Sequence, residues 1–235
     1  MSKICFIVGH GKSKSGGYDP GAVAGDVHEF RIAKEIAEYA QTYYNANFTE
    51  QADIMNDDAS LYLTDRIKKI NAAGYDFAAE IHLNAGGGTG TECYYHKGSE
   101  DGKRYAAEIS SAICEALGVA QRGAKTRLNA SGRDYFAIIR ETACTAVLIE
   151  TVFIDSPADL AKLAAPEGQA ACGAAIAQAI AKVRGVKHKS LAAQKPTGPL
   201  YRVQVGAFRN RTNAEALLAQ LRNSGFADAF VKAEE

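Results

Sequence analysis

Residues 146–153, AVLIETVF, place six apolar side chains in eight positions and interrupt them only with Glu150 and Thr151. A run this short and this apolar reads as a strand buried on both faces, the habit of parallel sheets. Ile4–Val8 is a second such run, closed by a glycine, and 77–83 is a third. Between them the apolar spacing becomes helical. Ile32, Ile36, Ala40 and Tyr43 recur at helical intervals across 29–44. Leu63, Ile67 and Ile70 share one face of a second helix, which Ser60 can cap and Gly74 can stop. Thr91–Tyr95 is expected as a short strand, 102–117 as a helix ended by Gly118, and 156–164 and 166–183 as closing helices. Strands alternating with helices imply the α/β class, with a mostly parallel twisted sheet flanked by helices.

The periodicity is lost over 185–199, GVKHKSLAAQKPTGP, which reads as a linker behind a body of 1–184. Beyond it, 200–235 holds one strand–helix–strand unit: strands at 201–208 and from 229, and a helix over 213–222. Such a half-module is too small for a secure core of its own.

Composition narrows the function. The 235 residues are 47% apolar and 23% charged, an ordinary globular balance. Lys plus Arg equal Asp plus Glu at 27 each, so no global charge points to nucleic acid. The basic excess sits in 185–235, with eight Lys/Arg against four acids. Five cysteines without a CxxC pair form neither a disulfide framework nor a thiolate zinc site, which fits a chain made in a reducing compartment. The first apolar stretch is too short for a signal-peptide core, and no segment approaches a membrane span. The expectation is a protein made in the cytoplasm, without membrane insertion.

The candidate chemistry lies at strand ends. His10 follows the first strand and His82 stands within the third. Ligands collect at the carboxyl ends of parallel strands, so the two imidazoles can meet. A hydrolytic metal site needs three protein ligands, an open position, and a carboxylate left free to take a proton. Glu29 opens the first helix, where an acid also simply complements the helix dipole. Glu150, inside VLIETVF, is costly to bury unless it is paired, liganding or catalytic.

Three stretches carry a resemblance. GHGKSKSGGYDPGAVAGDVHE (9–29), EIHLNAGGGTGTECYY (80–95) and RDYFAIIRETACTAVLIETVFIDSPAD (133–159) resemble, in order, the signatures of the zinc N-acetylmuramoyl-L-alanine amidases of phage endolysins and bacterial autolysins. The resemblance implies a zinc-amidase (phosphorylase/hydrolase-like) fold, Zn²⁺ held by His10, Glu29 and His82, and Glu150 as catalyst. It also implies hydrolysis of the amide between N-acetylmuramic acid and L-alanine of peptidoglycan, reached after release by holin-type or mother-cell lysis. YRVQVGAFRNRTNAEALLAQLRNSGF (201–226) resembles half of a SPOR peptidoglycan-binding module, so 200–235 is expected to bind wall or to pair with a second copy in a homodimer.

The sequence departs from the family at two places. Lys12–Ser15 reads as an insertion beside the first histidine, and Glu80 stands where many relatives carry Ser. Glu80 shares a strand face with His82 and is either a carboxylate supporting that ligand or a competing base, or else a solvent-facing rim charge. His28-Glu29 is not an HExxH motif, because Ile32 stands where the second His belongs. Gly86–Gly90 lacks the Lys-Ser/Thr of a phosphate loop and reads as a flexible lip. The competing functions are a wall binder that lost catalysis and a zinc peptidase acting on the stem peptide.

Overall fold

The computed structural model describes residues 3–189, 203–226 and 229–233. The chain divides into two compact units, Met1–Lys187 and His188–Glu235.

In the first unit, β1 (Ile4–Val8) leads into two small hairpins, β2 (Gly11–Lys12) with β3 (Tyr18–Asp19), and β4 (Val23–Ala24) with β5 (Val27–His28). There follow α1 (Glu29–Asn47), β6 (Ala52–Met55), α2 (Leu63–Ala73), β7 (Phe77–Asn84), β8 (Thr91–Tyr95) and α3 (Glu100–Leu117). The unit closes with β9 (Gln121–Lys125), α4 (Ala137–Glu141), β10 (Thr145–Phe153), α5 (Pro157–Leu160) and α6 (Pro166–Arg184). Six strands form one sheet in the order β6-β1-β7-β10-β8-β9. The first four run parallel, while β8 and β9 parallel each other and oppose β10.

Alternation along the strands separates two layers. Ile4, Phe6 and Val8 of β1, with Phe77, Ala79, Ile81 and Leu83 of β7, pack against α1, α3 and α6. Cys5, Ile7, Ala78, Ala146 and Leu148 face the opposite side, where Ile67 and Ile70 of α2 and Ile138 and Ile139 of α4 cover them. These two short helices cover less of the sheet than the other three. The strand ends on their side are left open.

Several boundaries differ from expectation. Ser60 does not cap α2, whose N-cap is Tyr62. Asp58 accepts the Ser60 N–H and Asn56 Oδ1 accepts the Leu61 N–H, at 3.0 Å each, which keeps the chain out of the helix for two more residues. The helix expected over 156–164 shrinks to α5, because Pro166 holds Ala165 extended as the N-cap of α6. In the second unit a helix, α7 (Arg211–Asn223), forms as expected. Among the described residues, 203–208 and 229–233 carry no sheet ladder, and Val203, Val205 and Phe230 are exposed. The expected linker beyond 189, and Tyr201, lie outside the described residues.

α1 and α6 approach closely through small side chains: Ala33, Ala37 and Ala40 on one, Gly173, Ala177 and Ala181 on the other, all buried. A Cβ on Gly173 would stand 2.7 Å from the Ile36 carbonyl oxygen and 2.8 Å from the Ala40 nitrogen. Gly173→Val is therefore expected to lose about 1–3 kcal/mol in chemical denaturation. Unchanged stability would show that the two helices are not in contact there.

Candidate metal centre

The turn after β1 creates the site. His10 sits in the left-handed region, with φ of 60°, which a side chain other than Gly seldom adopts unless it is held. Four hydrogen bonds hold it. Asn56 Nδ2 donates to the carbonyls of Val8 and His10, both at 2.8 Å. Arg66 Nη1 of α2 donates to the same two oxygens, at 2.8 and 3.1 Å. Gly9, between them, lies against the His82 ring, which occupies the space of any Cβ.

The residues Lys12–Ser15, read as an insertion, close the β2–β3 hairpin, with Lys12 opposite Tyr18 and Gly11 opposite Asp19. That register carries Asp19 to His10. Its Oδ2 lies 3.0 Å from His10 Nδ1, while Oδ1 accepts the Gly21 N–H at 3.0 Å. His10 Nε2 is thereby left pointing at Glu29 Oε1, 3.2 Å away.

Glu29 is placed by the loop before it. The carbonyls of Ala22 and Pro20 accept the N–H groups of Glu29 and Phe30, satisfying the first turn of α1. In return Glu29 Oε2 accepts the Ala22 N–H at 2.8 Å, and Oε1 accepts the Leu83 N–H at 3.0 Å. Gly21 has φ of 71°, and a Cβ there would meet both Glu29 Oε2 and the His10 ring. His82 Nδ1 lies 2.8 Å from Glu29 Oε1.

One oxygen of Glu29 therefore stands between two imidazoles, and the ligand atoms of His10, Glu29 and His82 all lie within 4.8 Å of one another. Among the described residues no other His, Cys, Asp or Glu trio is arranged to hold a metal ion. Two nitrogens and one carboxylate oxygen are a donor set that suits a borderline divalent metal. Burial works against the Glu29 charge, but hydrogen bonds from both histidines hold its carboxyl well below the usual range. Burial likewise opposes charge on His82 and His10, and their carboxylate partners raise both above the ordinary value.

Glu150 pairs in register with His82 across β7 and β10, and with Glu92 across β8. Immediately after Glu150, β10 gains one residue relative to β7, an irregularity of the kind that re-aims side chains beside active sites. Glu150 Oε2 is buried without a hydrogen-bond partner. Burial pushes this carboxyl up from 4.5 to about 7, with His82 opposing and Glu29 and Glu92 adding to the rise. A cleft of about 480 Å³ opens over these groups, walled by Phe136, Ala137 and Ile138 on one side and containing Lys12.

Glu80 is not a rim charge. It is 2% exposed, 3.5 Å from Arg66 Nη1 and 3.4 Å from His82 Nε2. The glycine lip is also less free than expected: Asp155 accepts from Gly86 and Gly87, and Asp159 from Gly90, at 2.7–2.8 Å. His28, His96 and His188 stand outside the trio, with His96 against Asp134.

The sequence reading missed Asn56, Arg66 and Glu92. Arg66 had a signal, since it interrupts the apolar face of Leu63, Ile67 and Ile70 at helical spacing. Glu92, in TECYY, is 2% exposed and held by Arg122, Lys125, Tyr94 and Asn84. Burial raises its carboxyl, but the two cations win and bring it down to about 2.

Residues 4–182 match the family model described as N-acetylmuramoyl-L-alanine amidase, and 173–233 match the SPOR domain. The start of the second match falls on α6, which is packed into the first unit. The chain is 31% identical over 229 residues to the sporulation-specific N-acetylmuramoyl-L-alanine amidase of Bacillus subtilis (strain 168), covering 96% of this chain and 83% of that one. It is also 31% identical over 236 residues to the N-acetylmuramoyl-L-alanine amidase CwlM of Bacillus licheniformis, covering 98% and 85%. Among solved structures it is similar to the catalytic domain of CwlV, an N-acetylmuramoyl-L-alanine amidase from Bacillus (Paenibacillus) polymyxa var. colistinus. That similarity has a TM-score of 0.68 at 25% identity and covers 80% of this chain and all of the other.

The raised carboxyl of Glu150 has a consequence for the metal-free protein. Unfolded, the group titrates near 4.5; folded, near 7, so between these values the folded state keeps a proton that the unfolded state has lost. Stability therefore falls as pH rises through that window, with a penalty on the order of 3 kcal/mol standing in full above it. Glu150→Gln is expected to raise the Tm of the metal-free protein at about pH 8 and to leave it unchanged at about pH 4. An equal difference at both pH values would contradict the burial of an unpaired charge.

Proposed function

Because the chain belongs to the N-acetylmuramoyl-L-alanine amidase family, we propose that His10, Glu29 and His82 hold a zinc ion and that Glu150 is the general base. The activity is hydrolysis of the peptidoglycan amide between N-acetylmuramate and L-alanine. The observation that carries the residue roles is the unpartnered, buried Oε2 of Glu150, beside His82 in register and facing a three-donor cluster.

Zinc in this position would polarise the scissile carbonyl and make a water acidic at neutral pH. The protein's own contribution follows from the geometry. Asp19 fixes His10 in the tautomer that leaves Nε2 free toward the cleft. Glu29 supplies a carboxylate kept ionised despite burial. Glu150 accepts the proton of the attacking water at Oε2 and delivers it to the leaving alanine nitrogen. A buried carboxyl whose Oε2 has no hydrogen-bond partner is available to do both. The apolar wall of Phe136, Ala137 and Ile138 excludes bulk water from one side of the cleft.

The SPOR match supports 200–235, beyond a linker at 185–199, as a wall-binding appendage of a catalytic domain at 1–184. A homodimer through 200–235 has no comparable support. No helix among the described residues is long and apolar enough to cross a membrane.

Glu150→Gln is expected to retain stoichiometric zinc while turnover of purified wall falls about 10²-fold or more. His10→Ala and His82→Ala are expected to lose zinc and activity together. Loss of metal from Glu150→Gln, with activity tracking metal content, would make Glu150 a ligand. New N-terminal alanine in the wild-type digest identifies the amidase; a new stem-peptide terminus would instead identify a peptidase.

A further inference from the structure

His10 and His82 reach the site from different strands, and the same buried side chain touches the supports of both. The Arg66 side chain is 5% exposed, so its charge has lost most of its water and must be met by protein. Its acceptors are specific. Two are the carbonyls of Val8 and His10, which bracket the turn that swings His10 out of β1 into the left-handed region. The third neighbour is Glu80 Oε1, at 3.5 Å. Glu80 lies between Ile7 and Leu148 in the sheet, where a carboxylate would be untenable without that cation. Its other oxygen faces His82 Nε2 at 3.4 Å, on the side of the ring opposite the Nδ1 that faces Glu29. Carboxylates thus flank both nitrogens of His82, and the outer one is paired with the Arg66 charge across 3.5 Å, without a hydrogen bond to Oε1.

Resting on the reading of His10 and His82 as metal donors, we infer that Arg66 and Glu80 are a positioning pair that sets both imidazoles at once. Arg66 fixes His10 through the backbone of its turn and His82 through the Glu80 carboxylate. Both residues border the cleft, and the role assigned to them is the placing of the two imidazoles. A purely structural buried ion pair would stabilise the fold without reaching the metal; this pair couples stability of the turn to metal affinity. It also gives a physical reason for Glu80 in a strand that is otherwise apolar on this face up to His82.

The test uses the full-length protein, with zinc dissociation constants from chelator competition, the visible spectrum of the cobalt-substituted protein, and Tm. Arg66→Lys keeps the charge but loses the fork, and Glu80→Gln keeps the shape but loses the charge. Each is expected to weaken zinc binding about 10- to 100-fold and to alter the cobalt spectrum, the usual scale for groups that orient ligands. The double variant is expected to match Arg66→Lys, because the two act along one line. Wild-type zinc affinity and an unchanged cobalt spectrum in both single variants, with only Tm lowered, would overturn the inference, as would fully multiplicative losses. Should Arg66→Lys fail to fold, the near-isosteric Glu80→Gln decides alone by the same readouts. His10→Ala is the control for the underlying reading: retained zinc there would overturn the metal assignment itself, and with it this inference.

Discussion

The Glu29 carboxylate, 3% exposed, receives two backbone N–H groups and faces two imidazoles, and the open end of the sheet is arranged around that burial. Keeping a carboxylate ionised in an apolar setting requires several good partners at once. The loop before α1 supplies one N–H, the end of β7 another, and the turn after β1 one imidazole. Two of these segments are in turn pinned: the loop by its exchange of bonds with the first turn of α1, the turn by Asn56 and Arg66. The site is thus a consequence of three strand and helix ends converging on one carboxylate.

Glu150 is the complement of that arrangement. It lies beside His82 yet has no donor for Oε2, so burial governs it where hydrogen bonds govern Glu29. Two neighbouring carboxylates are therefore driven in opposite directions, one held as an anion and one held near neutrality. Glu92, across β8, is neutralised by Arg122 and Lys125, which prevents a third bare anion from crowding the cleft.

The central strands were legible because burial on both faces leaves almost no polar letters, and β1, β7 and β10 came out within a residue or two. The edge strand β9, QRGAK, could not be read this way, since its outer residues meet solvent and look like loop. That β8 runs against β10 follows from the short connection 85–90 out of β7, too short to carry the chain back for a parallel strand. The four candidate residues that the structure brings together were singled out through three ordered signatures, with Glu150 also visible as a charge inside an apolar run. Asn56 was hidden because NDDAS reads as a turn whatever its side chain does, and Arg66 because arginines on helices are normally solvated. The tail strands were over-read: alternation marks a strand's faces, but a ladder needs a neighbour, and none is present among the described residues.

Anomalous diffraction at the zinc edge from crystals of the full-length protein grown with zinc tests the centre of this account most directly. One strong peak is expected about 2.0–2.2 Å from His10, Glu29 and His82, with the Glu150 carboxylate facing it beyond bonding distance. A peak bonded to Glu150 in place of Glu29, or one held elsewhere with the trio empty, would contradict it.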